Sequence, residues 1–274
     1  MNLNETESEA GDMFDKFTRA GNGVWASLTL LIIFLASWEW GPALLGIPDY
    51  FIPPASSVFI EFGRAFGAER LLFHTGITAM ETAAGFIIGS GLGMVIGYAL
   101  GISTRAELIL SPYILALQIA PKVAFAPLFV LWMGFTVYPK ILVSILIVFF
   151  PIMVNVMSAV RTVDPDMVNL ARTFNATRWQ IFKKIEFPAA MPPLFSGLRI
   201  AATFAIIGVV VGEMVGGNMG LGYILVFAEG AANTSLVFVS IIMLTIVGII
   251  AYALVVLAEK KVLHYMPKAN FNPI

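Results

Sequence analysis

The sequence predicts an all-α integral membrane protein, with six transmembrane helices and one structured cytoplasmic helix-turn-helix loop. Three observations lead there. The 274-residue chain is 59% hydrophobic and only 12% charged, about half the charge of an average soluble domain. Six stretches supply the ~20 mostly apolar residues of a bilayer crossing: 24–45, 75–101, 108–132, 137–160, 198–215 and 236–257. The basic residues other than Lys122 divide twelve to three. Lys16, Arg19, Arg105, Arg161, Arg172, Arg178, Lys183, Lys184, Arg199, Lys260, Lys261 and Lys268 fall on one side, and Arg64, Arg70 and Lys140 on the other. Short cytoplasmic segments retain basic residues, so both termini and the loop over 161–197 are expected in the cytoplasm. The chain then divides into an acidic tail over 1–22, a six-span domain over 23–262 and a short tail over 263–274.

The first span carries Trp38, Glu39 and Trp40 near its outer end, where amphipathic rings favour the headgroup level. In the outer segment that follows, Pro48, Pro53 and Pro54 forbid a continuous helix, while residues 56–66 can lie as an amphipathic helix on the surface. The second span repeats glycine every fourth residue, at Gly85, Gly89, Gly93 and Gly97. Such a stripe lets a neighbouring backbone come close. Pro112, Pro121 and Pro127 are expected to interrupt the third span and Pro151 the fourth, leaving carbonyls that protein or a water-lined cavity must satisfy. The fifth ends in Gly212-Glu213-Met214-Val215-Gly216-Gly217, and Gly220-Leu221-Gly222-Tyr223 opens a short outer segment. Glycine there permits a tight turn or hinge.

Between the fourth and fifth spans the pattern predicts two short capped helices. Asp164 caps the first, Pro165 fits its first position, and Val163 can staple onto Val168. Met167, Leu170, Ala171 and Phe174 then form one apolar face. Asn175 stands where a helix stops in the left-handed conformation. Thr177 and Gln180 make a capping box for a second helix bearing Trp179, Ile181, Phe182 and Ile185, expected to end before Pro188. With Arg172 and Arg178 alongside, the pair reads as a docking surface; the alternative is a plain connector lying on lipid.

Among the charges that fall inside spans are Glu81, Lys122 and Glu213. An ionised group at mid-bilayer costs at least ~2.5–3.5 kcal/mol, so each requires a partner or water. Lys122, with Gln118 a turn earlier and Asn155 on the next span, suits a translocation path. Alternatively, Lys122 pairs with Glu81 or Glu213 and only holds helices together. Glu213, near the outer boundary, is expected to be partly solvated and to aid closure of an outer gate. Taken as a relay, the three charges fit an ATP-independent channel or secondary carrier. A third reading is a membrane scaffold that docks a soluble partner without flux.

The sequence holds no phosphate-binding G-x-x-x-x-G-K-[ST] loop, no H-E-x-x-H pair and no G-x-S-x-G serine. It has no cysteine, and His74 and His264 are expected on opposite sides of the membrane. No enzyme site, metal, cofactor or nucleic-acid partner is therefore expected of this chain.

Asn169-Leu170-Ala171, then Asn175, then Ile185-Glu186-Phe187-Pro188 resembles the signature of ATP-binding-cassette importer permeases: E-A-A, three residues, G, nine residues, I-x-L-P. Asn169 stands in place of the acidic residue and Asn175 in place of glycine. The runs Ala176 to Phe182, Pro188 to Pro192 and Gly197 to Ile200 resemble the sulfonate, nitrate and taurine group, and the likeness extends over about 53–257. It takes in Pro121-Lys122-Val123-Ala124, Leu131-Trp132-Met133-Gly134 and Gly220-Leu221-Gly222-Tyr223. Thr78-Ala79-Met80-Glu81 and Pro121-Lys122 look more like members linked to thiamine-pyrimidine or riboflavin uptake.

The resemblance implies a type I importer permease of the bacterial inner membrane, surrounded by lipid. Its implied partners are a second permease, expected to be identical, two ABC ATPases that bind ATP and Mg, and a periplasmic or lipid-anchored substrate-binding protein. The substrate would be a small anionic or heterocyclic nutrient crossing between the two permeases. Coupling to the ATPases would fall to Asp164, Met167, Leu170, Ala171, Arg172, Phe174, Asn175, Arg178, Trp179 and Phe182.

Overall fold

A computed structural model describes residues 25–265. The tail expected over 1–22, and all but the first three residues of the tail expected over 263–274, lie outside them. Regular structure among the described residues is helical throughout: α1 Trp25–Leu44, α2 Ala55–Gly67, α3 Leu71–Gly101, α4 Thr104–Ile119, α5 Ala126–Met133, α6 Val137–Arg161, α7 Pro165–Thr173, α8 Arg178–Ile181, α9 Phe187–Gly216, α10 Leu221–Gly230 and α11 Thr234–Val262. Five helical rods are long and apolar enough to cross a membrane, and the bent pair of α4 and α5 makes a sixth span.

The six expected spans all have helices in their places, with two differences. The third breaks only at Pro121, where a 3-10 turn over Lys122–Phe125 bends the path by 78°. Pro127 sits in the first turn of α5, where no amide is needed. Pro112 and Pro151 stay inside unbroken helices, which membrane helices tolerate because neighbouring groups re-satisfy the backbone. One turn beyond Pro151 the side chain of Asn155 donates to the proline's own carbonyl at 2.8 Å, while the carbonyl that the proline leaves without its donor is that of Ile147.

The fifth span begins twenty residues earlier than 198, because the second loop helix does not end before Pro188. Helix α8 runs through a π turn, Phe182–Glu186, into α9 as one rod of 39 residues. The Phe187 N–H reaches back five residues to the Phe182 carbonyl. That wider turn accommodates a ring that would otherwise collide with the carbonyl four residues back. The rod measures roughly 58 Å at 1.5 Å per residue, about twice the ~30 Å hydrocarbon core.

The core is built around α6, which is held between α3 and α9. Gly85, Gly89, Gly93, Gly97 and Gly101 of α3 lie against Ser144, Val148, Ile152, Val156 and Val160 of α6. Both rows advance by four, so one ridge seats in the other. On the opposite side Gly208 and Gly212 of α9 press on the backbone of Ser144 and Lys140. Val148, Ile152, Val156, Leu194, Ala201 and Ala205 are buried in this seam.

A second cluster, at the end remote from the loop over 162–177, joins α2, α3, α10 and α11 through Val58, Leu71, Leu221, Ile224, Leu236 and Val239. The expected outer helix over 56–66 is α2. Helix α1 joins this layer at its outer end. There the Trp38 ring donates to Pro53 O at 3.0 Å, and Ser56 donates to Glu39 through both N–H and hydroxyl at 2.8 Å. The carboxylate thus sits at the N-terminus of α2, where the helix dipole favours it.

Gly93 and Gly91 test the seam as a pair. A Cβ at Gly93 would stand 2.8 Å from the Phe149 carbonyl and 3.0 Å from Ile152, whereas one at Gly91 meets nothing within 4 Å. Overpacking a tight seam costs about 1–3 kcal/mol, and alanine in an open helical position gains up to ~1 kcal/mol over glycine. Thermal unfolding of the solubilised protein should therefore show a lower Tm for Gly93→Ala and an unchanged or higher one for Gly91→Ala.

Candidate functional sites: a capped loop and a buried polar cluster

The loop between α6 and α9 is stiffened by its own capping residues. Asp164 accepts from Asp166 N–H at 2.9 Å and starts α7. Asn175 takes φ 55°, and the Asn175 and Ala176 amides return to the Arg172 and Ala171 carbonyls at 2.9 and 3.0 Å. This is the paired closure of a Schellman stop. Thr177 and Gln180 complete a reciprocal capping box, with Thr177 N–H on Gln180 Oε1 at 2.7 Å and Gln180 N–H on Thr177 Oγ1 at 3.3 Å.

These local bonds close the turn without help from the apolar side chains. Met167, Leu170, Phe174 and Trp179 stand 56%, 60%, 77% and 67% exposed. Arg172 and Arg178 are exposed beside them, and Ala171 is half-buried. Phe182 differs from the other aromatics: it is half-buried, with its ring 4.8 Å from Tyr98 of α3 and 5.4 Å from Trp179.

Three charges form a cluster at the end of α3, α6 and α9 remote from this loop. Glu81, Lys140 and Glu213 are only 4%, 2% and 1% exposed. Lys140 Nζ donates to Glu81 Oε1 at 2.8 Å and to the Met219 carbonyl at 3.3 Å. Thr78 donates to Glu213 Oε1 at 2.7 Å while its oxygen accepts from Leu221 N–H at 2.8 Å. Glu213 Oε2 accepts from Gly222 N–H at 2.7 Å, and His74 Nδ1 from Gly220 N–H at 3.0 Å. The first amides of α10 thus find their acceptors on α3 and α9, which offsets the unsatisfied donors of a helix N-terminus. Gly220, at φ 108° and packed on the Glu213 carboxyl, leaves no room for a side chain.

This arrangement corrects two expectations. Glu213 is fully buried instead of partly solvated, because the turn over 217–222 folds across it. The partner of Glu81 is Lys140, not Lys122. Counted among the basic residues of one side, Lys140 nevertheless lies inside the 137–160 span, and that position is the signal in the sequence that it needs a buried partner. Thr78, three residues before Glu81, shares its helical face.

The remaining candidates lie elsewhere. Lys122 sits at the break between α4 and α5, where its ammonium caps the Gln118 carbonyl, lies 3.5 Å from that of Ala120, and stands 5.0 Å from the centre of the Phe150 ring. The Gln118 side chain is exposed, and α4 as a whole buries no residue. Asn155 lies in the seam between α6 and α9, against Gly197. The five path candidates therefore form three separate groups.

The ion pair has a distinctive signature on mutation. Removing one member of a buried pair strands the other charge at about 3–5 kcal/mol, whereas replacing both is often close to neutral. Lys140→Met should therefore lower the Tm of the solubilised protein sharply, and Glu81→Gln together with Lys140→Met should recover most of it.

Comparison with known proteins assigns the chain. The family model described as "Binding-protein-dependent transport system inner membrane component" matches residues 89–264. The putative aliphatic sulfonates transport permease protein of Bacillus subtilis is 33% identical over 263 residues, covering 96% of this chain and 95% of that protein. The riboflavin transport system permease protein of Chloroflexus aurantiacus is 34% identical over 87% of this chain and 88% of its own length. The formylaminopyrimidine transport permease protein of Halalkalibacterium halodurans is 32% identical over 86% and 94%. Among solved structures, the inward-facing MetNI methionine ABC transporter superposes with a TM-score of 0.60 at 20% identity, over 72% of this chain and 96% of that one. That likeness is one of fold. The matched length and the closeness of these relatives show that the chain belongs to the binding-protein-dependent transport system inner membrane component family, as a permease subunit of an ABC importer.

Proposed function

We propose that this permease works as a pair of identical subunits whose cytoplasmic loops dock two ABC ATPases, while a substrate-binding protein delivers cargo on the outer side. The termini lie in the cytoplasm, a placement that the twelve-to-three distribution of Lys and Arg supports. ATP and Mg bind to the ATPases, which carry out hydrolysis. The observation that carries this reading is the pair of capped helices that hold Met167, Leu170, Phe174 and Trp179 away from the rest of the protein. Aromatic residues presented in this way tend to dominate interface energy. Asp164, Asn175 and the Ala171 turn fix the loop's shape, Arg172 and Arg178 supply charge beside the apolar face, and half-buried Phe182 supports Trp179 from behind.

Closure of the ATPases on ATP draws the two loops together, and the spans follow as rigid bodies. The translocation path runs between the two permeases along α4 and α5, whose surface the second copy covers. Gln118 and Lys122 face that path, and the Lys122 ammonium beside the Phe150 ring suits a small anionic or heterocyclic nutrient. The relatives named for sulfonates, riboflavin and formylaminopyrimidine span these same two classes. Glu81 and Glu213 act with Lys140 to hold the outer turn closed, and Asn155 serves the packing of α6 on α9. An ion relay through Glu81, Lys122 and Glu213 would require them to be contiguous, and Lys122 stands apart from the other two.

Trp179→Ala tests the docking surface. Truncating a central aromatic anchor removes at least ~2 kcal/mol, about 30-fold in affinity. Affinity capture of the tagged variant from native membranes should recover the permease with little ATPase, and uptake should fall accordingly. Wild-type retention of the ATPase would sink the assignment.

A further inference from the structure

The Phe182–Glu186 turn is where the docking loop becomes a membrane helix, and it is the one π turn among the described residues. A π turn carries an extra residue and is a natural place for a helix to give way. Here it is braced. Glu186, buried on this turn, accepts from the Tyr98 hydroxyl of α3 through Oε2 at 2.8 Å. Its Oε1 faces Arg178 Nη1, in the first turn of the rod, at 3.9 Å. Phe182 lies edge-on to Tyr98 at 4.8 Å and tilted against Trp179 and Phe187 at 5.4 and 5.5 Å. Two lines of contact therefore leave the exposed loop, Trp179 to Phe182 and Arg178 to Glu186. Both end on Tyr98.

Beside this junction lies a cavity of about 260 Å³ lined by Met94, Val160, Glu186, Phe187 and Met191 among others. Unlike the glycine seam, this place has room for the rod to shift against α3. An unbraced rod pushed from its cytoplasmic end would flex here and move α3 little. Helix α3 is the element that matters at the far end: Thr78 lies twenty residues beyond Tyr98, roughly 30 Å along the axis, and holds Glu213 and the first amide of α10.

We propose that Tyr98 and Glu186 are positioning residues that clamp the π turn to α3, so that motion of the docked loop reaches the outer turn. The inference rests on the docking reading of the loop. It assigns the transmission to one hydroxyl–carboxylate bond and one aromatic contact.

The chain has no cysteine, so Glu229→Cys, at an exposed position of α10, gives a single spin-label position per permease. The complete transporter, with its ATPases, is placed in lipid nanodiscs, and the label-to-label distance across the pair is measured without nucleotide and with ATP plus vanadate. Tyr98→Phe removes only the hydroxyl, and Glu186→Ala removes the carboxylate. In either variant the ratio of shifted to unshifted molecules under ATP and vanadate should fall about five-fold, the factor that one hydrogen bond of ordinary strength represents, while the ATPases stay bound at wild-type levels. A purely structural role would lower Tm and leave the nucleotide-driven shift intact. A wild-type shift in both variants overturns the clamp, and if one variant does not fold, the other decides. The docking reading fails separately, through retention of the ATPase by Trp179→Ala.

Discussion

The fold depends on how closely α6 is gripped from both sides. Glycine recurring every fourth residue on α3, and again at Gly208 and Gly212 of α9, brings three backbones to within a side chain of one another. In a bilayer this contact is the main source of cohesion, because lipid tails are as apolar as leucine and offer no hydrophobic drive between helices. The grip also makes the polar cluster possible. Glu81, Lys140 and Glu213 come from α3, α6 and α9, and only helices this close can bring one carboxyl, an ammonium and a second carboxyl within bonding distance while excluding lipid and water. The turn into α10 is then held by those same side chains.

Much of this was legible in the sequence. Six spans, the glycine stripe, the outer helix, the Asp164 cap, the left-handed Asn175 and the Thr177–Gln180 box all follow from rules about local chemistry, and all of them formed. What escaped was tertiary. Proline signals a broken helix only where nothing re-satisfies the carbonyl, and a sequence does not reveal which of Pro112, Pro121, Pro127, Pro151 and Pro188 has a neighbour or a wider turn to absorb it. The partner of Glu81 escaped for a related reason: Lys140 lies at the edge of a span, where charge is unremarkable until a turn from elsewhere in the chain closes over it.

The fused rod of α8 and α9 changes how the loop and the spans relate. Separate helices joined by a flexible segment would let the loop dock and move without consequence for the membrane domain. A single helix of 39 residues removes that freedom everywhere but at its π turn, and there Tyr98 and Glu186 close the gap. The exposed anchors and the buried outer cluster are thereby placed on two rods that touch at both ends.

The bareness of α4 bears on how the protein is made. A newly inserted copy turns an unburied helix, a sharp bend and the half-exposed ammonium of Lys122 toward whatever surrounds it. Lipid is a poor host for a cation and for backbone left over at a break. On the proposed pairing, the solitary chain is an unfinished product in the bilayer until its counterpart arrives, and the balance between synthesis of its copies and their encounter becomes part of its quality control.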